Sequence, residues 1–175
     1  MSFKIEEKKT TLLVINLDKY HQTIPRIIEH LPNKKGIYIT TNKSAERIIN
    51  QLDKRKIKHE NIIFIDTVSK SAGLEVEDNP KCIYVNDPRS LVDLSIKTSN
   101  LVSNKRLSGG FIFFDSLSGL LLYNKERGVE KFTHSFCGKI RSWKLTGVIL
   151  AVKDSINPDV LTTITGFVDN TLSIN

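Results

Sequence analysis

The sequence predicts a three-layer α/β fold, in which helices cover both faces of a mostly parallel central sheet. Uninterrupted apolar runs, typical of strands buried on both faces, recur along the chain. Segments with apolar residues at helical spacing alternate with these runs, and such alternation favours parallel strands joined by right-handed crossovers. With 175 residues, of which 39% are hydrophobic and 26% charged, we expect one globular domain over residues 1–175.

The predicted strands are short apolar runs that end in polar residues. The central run, Phe111-Ile112-Phe113-Phe114, follows a glycine pair and stops at Asp115-Ser116. A run without polar alternation indicates a strand in the middle of a sheet. By the same criterion the predicted strands are residues 10–16, 36–41, 61–66, 81–86, 111–115 and 147–152.

Helices are predicted between these strands. The first has apolar residues at positions 24, 27, 28 and 31, and others are expected over residues 45–52, 91–102 and 129–143. Residues 117–123 fit either a short helix or a packed loop. Residues 162–168 and 171–174 predict a C-terminal antiparallel hairpin with Asp169-Asn170 at its turn.

Parallel strands bring their carboxyl ends to one edge of the sheet, where open α/β sheets bind ligands. This carboxyl edge is therefore the candidate site, and Asp115 is its central residue. The candidates, which follow or end the predicted strands, are Asn16, Asp18, Lys19, Thr40, Thr41, Asp66, Asp115 and Ser116.

Four carboxylates, those of Asp18, Asp66, Asp87 and Asp115, could approach this edge and bind a cation. A structural interpretation competes with a metal site. Asp18 and Asp87 are placed to cap helices, and Asp66 ends a strand. We therefore expect no metal site and no catalytic residue among them.

Residues 111–117, Phe-Ile-Phe-Phe-Asp-Ser-Leu, look like a Walker B strand. Residues 36–49 resemble the second strand and following helix of the RecA-like ATPase core, as found in the KaiC and RadA branch. Residues 61–66 are similar to its next strand and residues 167–174 to its closing strands. In order and spacing, residues 10–174 resemble this core, which implies a RecA-like fold with Asp115 on the metal side of an ATP site.

The chain departs from that family at the positions that bind phosphate and activate water. Residues 16–23 occupy the position of the glycine-rich phosphate loop but contain no glycine, and Lys19 stands beside Asp18. Thr40, Thr41 and Asn42 stand where the family has acids, and none can act as a general base. We therefore expect no ATP hydrolysis and no bound cofactor, with Asp115 hydrogen-bonded to neighbouring loops.

The resemblance then implies a noncatalytic protein with a regulatory, scaffolding or protein-interaction role. Its expected partner is a second copy or an active homologue, and residues 117–123 are a candidate contact. Two alternatives remain open. One is a sensory domain that binds a small ligand at the carboxyl edge, and the other is an ATP·Mg²⁺-binding protein with an atypical phosphate loop.

The net charge of +7 raises nucleic acid as a further partner. The basic residues are spread along the chain without interleaved aromatic residues, so this partner is not favoured. No apolar run is long enough to span a bilayer, and the N-terminus has no apolar core like that of a signal peptide. We expect a cytoplasmic protein without a membrane partner.

Overall fold

The computed structural model describes residues 4–31, 35–105, 107 and 109–174. Within these residues, seven strands form one parallel sheet in the order β4-β3-β2-β5-β6-β1-β7. The strands are β1 (Thr10–Ile15), β2 (Gly36–Thr40), β3 (Ile62–Asp66), β4 (Cys82–Tyr84), β5 (Phe111–Asp115), β6 (Thr146–Val152) and β7 (Asn170–Ile174).

Helices cover both faces of this sheet, as the apolar spacing predicts. They are α1 (Tyr20–His30), α2 (Ala45–Lys54), α3 (Leu91–Lys105), α4 (Leu117–Leu121), α5 (Glu126–Ser142) and α6 (Pro158–Thr165). The buried faces of α1 and α2 pack on one side of the sheet, and those of α3 to α6 pack on the other. The three-layer α/β fold is therefore confirmed. No helix of the described residues is long and apolar enough to cross a bilayer.

The strand register aligns the predicted carboxyl edge. Thr40 at the end of β2 lies opposite Asp66 of β3 on one side and Asp115 of β5 on the other. Ile15 at the end of β1 lies opposite Val152 of β6. The central strand β5 is buried along its whole length, so Asp115 ends a strand in the middle of the sheet.

The predicted C-terminal hairpin is wrong. Most of its first strand lies in α6, and β7 pairs with β1 in parallel. Pro158 occupies the first turn of α6, and the Asn157 side chain accepts a hydrogen bond from the Asp159 N–H. Val160 and Ile164 then lie one turn apart in the core. The threonine-rich sequence favours a strand, but the cap and the core contacts outweigh that preference.

Two predicted helix caps are also wrong. Asp18 is exposed within a 3₁₀ turn, Leu17–Lys19, and makes no capping hydrogen bond. Before α3, the Ser90 hydroxyl accepts from the Asp93 N–H, whereas Asp87 binds Arg89. Serine hydroxyls are good N-cap acceptors, and Ser90 directly precedes the helix. The open question at residues 117–123 is answered by α4, a short helix.

Candidate functional site

The carboxyl edge is organised around a buried carboxylate, that of Asp115. The Tyr20 hydroxyl donates to Asp115 Oδ1 at 2.6 Å, and the Tyr38 hydroxyl donates to Oδ2 at 2.5 Å. Asp115 is fully shielded from solvent. Both carboxylate oxygens therefore have a protein donor in a site that solvent does not reach.

Strand geometry explains one of these hydrogen bonds. Thr40 of β2 lies opposite Asp115 of β5, and Tyr38 lies two residues earlier on the same strand. Side chains two residues apart in a strand point to the same face, so Tyr38 and Asp115 share the face covered by α1 and α2. Tyr20, the first residue of α1, approaches from that covering layer.

Burial sets the protonation states of Asp115, Tyr20 and Tyr38, which we call the buried triad. It raises the pKa of Asp115 to about 6, and the hydrogen bonds from Tyr20 and Tyr38 and the positive charge of Lys43 oppose that rise. Burial and the neighbouring Asp115 raise the pKa values of Tyr20 and Tyr38 far above the ordinary tyrosine value. Both tyrosines therefore remain neutral donors to Asp115.

The next residues of the edge are closed by hydrogen bonds between two loops. The Thr41 hydroxyl donates to the Ser116 carbonyl at 2.7 Å and accepts from the Ser116 N–H at 2.8 Å. The Asn42 side-chain amide donates to the Ser116 hydroxyl at 2.9 Å. A side chain at Gly119 would collide with Thr41 and Asn42, so α4 must carry a glycine at this position to approach them this closely.

Asp66 is a second buried carboxylate at this edge, and it anchors two segments of backbone. It accepts hydrogen bonds from the Ala45 N–H at 2.7 Å, from the Val68 N–H at 2.7 Å and from both the N–H and the hydroxyl of Ser69. These donors hold the start of α2 and the loop after β3 together. The Thr40 hydroxyl is likewise used internally, because it donates to the Lys43 carbonyl at 2.6 Å.

The remaining candidates lie at the end of β1, outside this network. Asp18 and Lys19 face solvent and form a 3.5 Å ion pair with each other. Asn16 precedes the 3₁₀ turn and makes no capping hydrogen bond with its side chain. Within the described residues, no hydrogen bond or ion pair joins Asn16, Asp18 or Lys19 to Asp115. The structure thus brings together Thr40, Thr41, Asp66, Asp115 and Ser116, but not the first three candidates.

The acids do not form a common site. Among the described residues, no group of three or more His, Cys, Asp or Glu side chains is arranged to hold a metal ion. Asp66 and Asp115 are each surrounded by protein donors, and Asp18 is exposed.

Sequence reasoning missed Tyr20, Tyr38 and Lys43. The Lys43 ammonium lies 5.2 Å from the centroid of the Tyr20 ring, so it adds positive charge beside the buried triad. One signal was available for Tyr38. A tyrosine in an otherwise apolar buried strand needs a hydrogen-bond partner, and an acid at the end of a neighbouring strand can supply one.

Comparison with known proteins places this chain in a family. DUF7504, described as a family of unknown function, matches residues 21–174. The chain belongs to DUF7504. None of the curated proteins matches it.

Solved structures share the fold of this DUF7504 chain. The KaiC-like protein PH0186 from the hyperthermophilic archaeon Pyrococcus horikoshii OT3 superimposes with a TM-score of 0.63 over 98% of this chain and 74% of its own, at 12% identity. A protein studied as project PH0250 from the same organism gives a TM-score of 0.66 over 99% of this chain and 84% of its own, also at 12% identity. The DUF7504 chain therefore has the fold of a KaiC-like protein.

Proposed function

We propose that this DUF7504 chain is a degenerate RecA/KaiC-like domain that binds another protein and does not hydrolyse ATP. One observation carries the proposal: the Tyr20 and Tyr38 hydroxyls occupy both oxygens of the fully buried Asp115 carboxylate. An acid that helps to hold Mg²⁺ must present an oxygen toward the metal and its water ligands.

The backbone after β1 supports this proposal. Residues 16–23 contain no glycine. Within them, Leu17–Lys19 form a 3₁₀ turn and α1 begins directly after it at Tyr20. A phosphate loop needs glycines so that its N–H groups can surround the phosphates. Here the first turn of α1 instead directs Tyr20 inward to Asp115, which leaves the acid facing a phenol.

The residues at the end of β2 also lack a side chain that can act as a general base. Thr40 and Thr41 use their hydroxyls in internal hydrogen bonds, and Asn42 is bound to Ser116. A hydroxyl or an amide cannot take a proton from water at neutral pH. No side chain at this position is available to activate a water molecule.

An interaction role has support from the loops of the same edge. The first half of the 117–123 segment is buried, but Leu122 and Tyr123 at its end are 74% and 48% exposed. Leu17, after β1, and Leu74, in the loop after β3, are also exposed. The adjacent side chains of Leu122 and Tyr123 present an apolar surface of the kind that a partner covers. We propose self-association through this end of the 117–123 segment, with an active homologue as the other partner.

Light scattering after gel filtration tests self-association. We expect the full chain to be larger than a monomer and Leu122→Asp to shift it toward the monomer. Ile96→Asp is the matched control, since Ile96 is also exposed but lies on α3 rather than on an edge loop. A strict monomer that recovers no homologous partner would contradict the interaction role.

Equilibrium binding of labelled ATP with Mg²⁺ tests the loss of the nucleotide site. We expect no saturable binding that depends on Mg²⁺ or on Asp115. Micromolar binding that Asp115→Ala abolishes would overturn the proposal, since it would place Mg²⁺·ATP against Asp115. That result would support the alternative of an atypical phosphate loop.

A further inference from the structure

Basic side chains from the start of α1, the segment before α2 and the end of α2 meet near the Tyr20–Asp115 hydrogen bond. Lys43 Nζ lies 3.0 Å from His21 Nδ1, and Arg55 Nη2 donates to the His21 carbonyl at 3.4 Å. The charge of Arg47 acts on both His21 and Lys43. We call His21, Lys43, Arg47 and Arg55 the basic cluster.

The basic cluster has no acidic partner of its own. In the described part of the chain, no Asp or Glu forms an ion pair with Lys43, Arg47 or Arg55. Asp115 attracts Lys43, but its carboxylate is fully buried and already bound by the two tyrosines. The cluster therefore retains positive charge that the protein does not pair.

The arrangement is also electrostatically unfavourable. Lys43 is half-buried, and burial lowers its pKa, an effect that Asp115 opposes and Arg47 reinforces. Lys43 is the largest cause of the lowered pKa of His21, followed by burial and by Arg47 and Arg55. An anion placed beside His21 and Lys43 would relieve this repulsion.

We propose that the basic cluster binds the phosphate group of a small phosphorylated ligand. Arg47 and Arg55 supply planar guanidinium groups that match phosphate oxygens, and Lys43 supplies a compact charge. Lys43 contacts the ring of His21 and Arg55 contacts its backbone carbonyl, so two cations lie against the same residue. A single tetrahedral anion fits this arrangement better than a nucleic acid, which requires a row of cations along its backbone.

His21 gives this site a specific signature. Its Nδ1 faces Lys43 at hydrogen-bonding distance, so the ring accepts from the ammonium and is neutral at that nitrogen. A phosphate among these groups would favour the protonated ring: Nδ1 would take a proton from solvent, its hydrogen bond from Lys43 would end, and both the ring N–H and the ammonium would be free to donate to the anion. Phosphate binding is thus expected to raise the pKa of His21.

The test is an NMR titration of the full chain with inorganic phosphate at low ionic strength, with chloride as the reference anion. We expect saturable shifts at His21 and Lys43 and a raised pKa of His21. Arg47→Gln combined with Arg55→Gln is expected to weaken phosphate binding by about tenfold or more. Arg127→Gln combined with Lys131→Gln is the control, because it removes the same charge from exposed positions on α5.

Three outcomes would overturn the site. They are the absence of saturable shifts, an equal loss of binding in both double variants, and binding of a short oligonucleotide without binding of phosphate. The site does not depend on the interaction role proposed above. Light scattering on the cluster variant separates the two proposals, since losing the phosphate site should leave the mass of the assembly unchanged.

Discussion

The Tyr38 hydroxyl donates a 2.5 Å hydrogen bond to Asp115 from the neighbouring strand β2. The bond joins residues 77 positions apart in the chain. With Tyr20 on the other carboxylate oxygen, it converts the acid at the end of the central strand into a buried acceptor of two phenols. This arrangement makes Asp115 a source of pH-dependent stability.

Asp115→Asn should change how stability depends on pH. Burial raises the pKa of Asp115 from 3.8 to about 6 in the folded chain. A carboxyl with a raised folded pKa favours the folded state at low pH, and this contribution is lost as pH rises from about 4 through about 6. This shift in the pKa of Asp115 corresponds to about 3 kcal/mol in the free energy of unfolding. Urea unfolding between pH 4 and 7 should show this loss in the native chain and not in Asp115→Asn.

Asp18→Asn is the control for this experiment, because Asp18 is exposed and pairs with Lys19 alone in the described part of the chain. Its stability should follow the native pH profile. If Asp115→Asn also kept the native profile between pH 4 and 6, Asp115 would not titrate as its burial implies.

Tyr38→Phe should destabilise the fold by about 1–3 kcal/mol, since it leaves a buried carboxylate oxygen without its donor. The hydrogen bond from Tyr38 also lowers the pKa of Asp115, so its removal should raise that pKa further. Urea unfolding measures the first effect, and its pH dependence measures the second. Tyr123→Phe, at an exposed position, should leave both unchanged. Equal stability of the two variants would show that the hydrogen bond from Tyr38 makes no net contribution to the free energy of unfolding.

The sequence was sufficient to predict the layers and the carboxyl edge of the sheet. Apolar strands such as β5 cannot be exposed on either face, and right-handed crossovers leave few ways to join them. Thr40, Asp66 and Asp115 consequently lie side by side, as predicted.

The partners of Asp115 could not be predicted in the same way. Tyr20 is 95 residues from Asp115, and its approach depends on how the turn after β1 directs α1 onto the sheet. The parallel pairing of β7 was missed for a related reason, since local propensity does not record that Val160 and Ile164 reach the core only in a helix. Both features depend on tertiary packing.

Gly119→Ala should destabilise the chain by about 1–3 kcal/mol, because the added methyl group would collide with Thr41 and Asn42. Gly138→Ala is the control, since nothing lies near a methyl group at that position of α5. There alanine should stabilise the helix by up to about 1 kcal/mol. Thermal unfolding of both variants measures the difference. If both changed the melting temperature in the same direction, the close approach of the 41–42 and 116–119 segments would not be a constraint on the fold.

Arg47→Gln should raise the pKa of His21 in the absence of any ligand. Arg47 is one of the three cations that lower it, after Lys43 and ahead of Arg55, and its removal reduces the repulsion that the protonated ring experiences. Lys43→Gln should raise the pKa further, because Lys43 is the largest of these causes and lies 3.0 Å from the ring.

Arg127→Gln should have no effect, since Arg127 is not among the charges that act on His21. The pKa is measured by NMR titration of the His21 ring protons. The same value in Lys43→Gln and in Arg127→Gln would mean that His21 and Lys43 are not held together in solution.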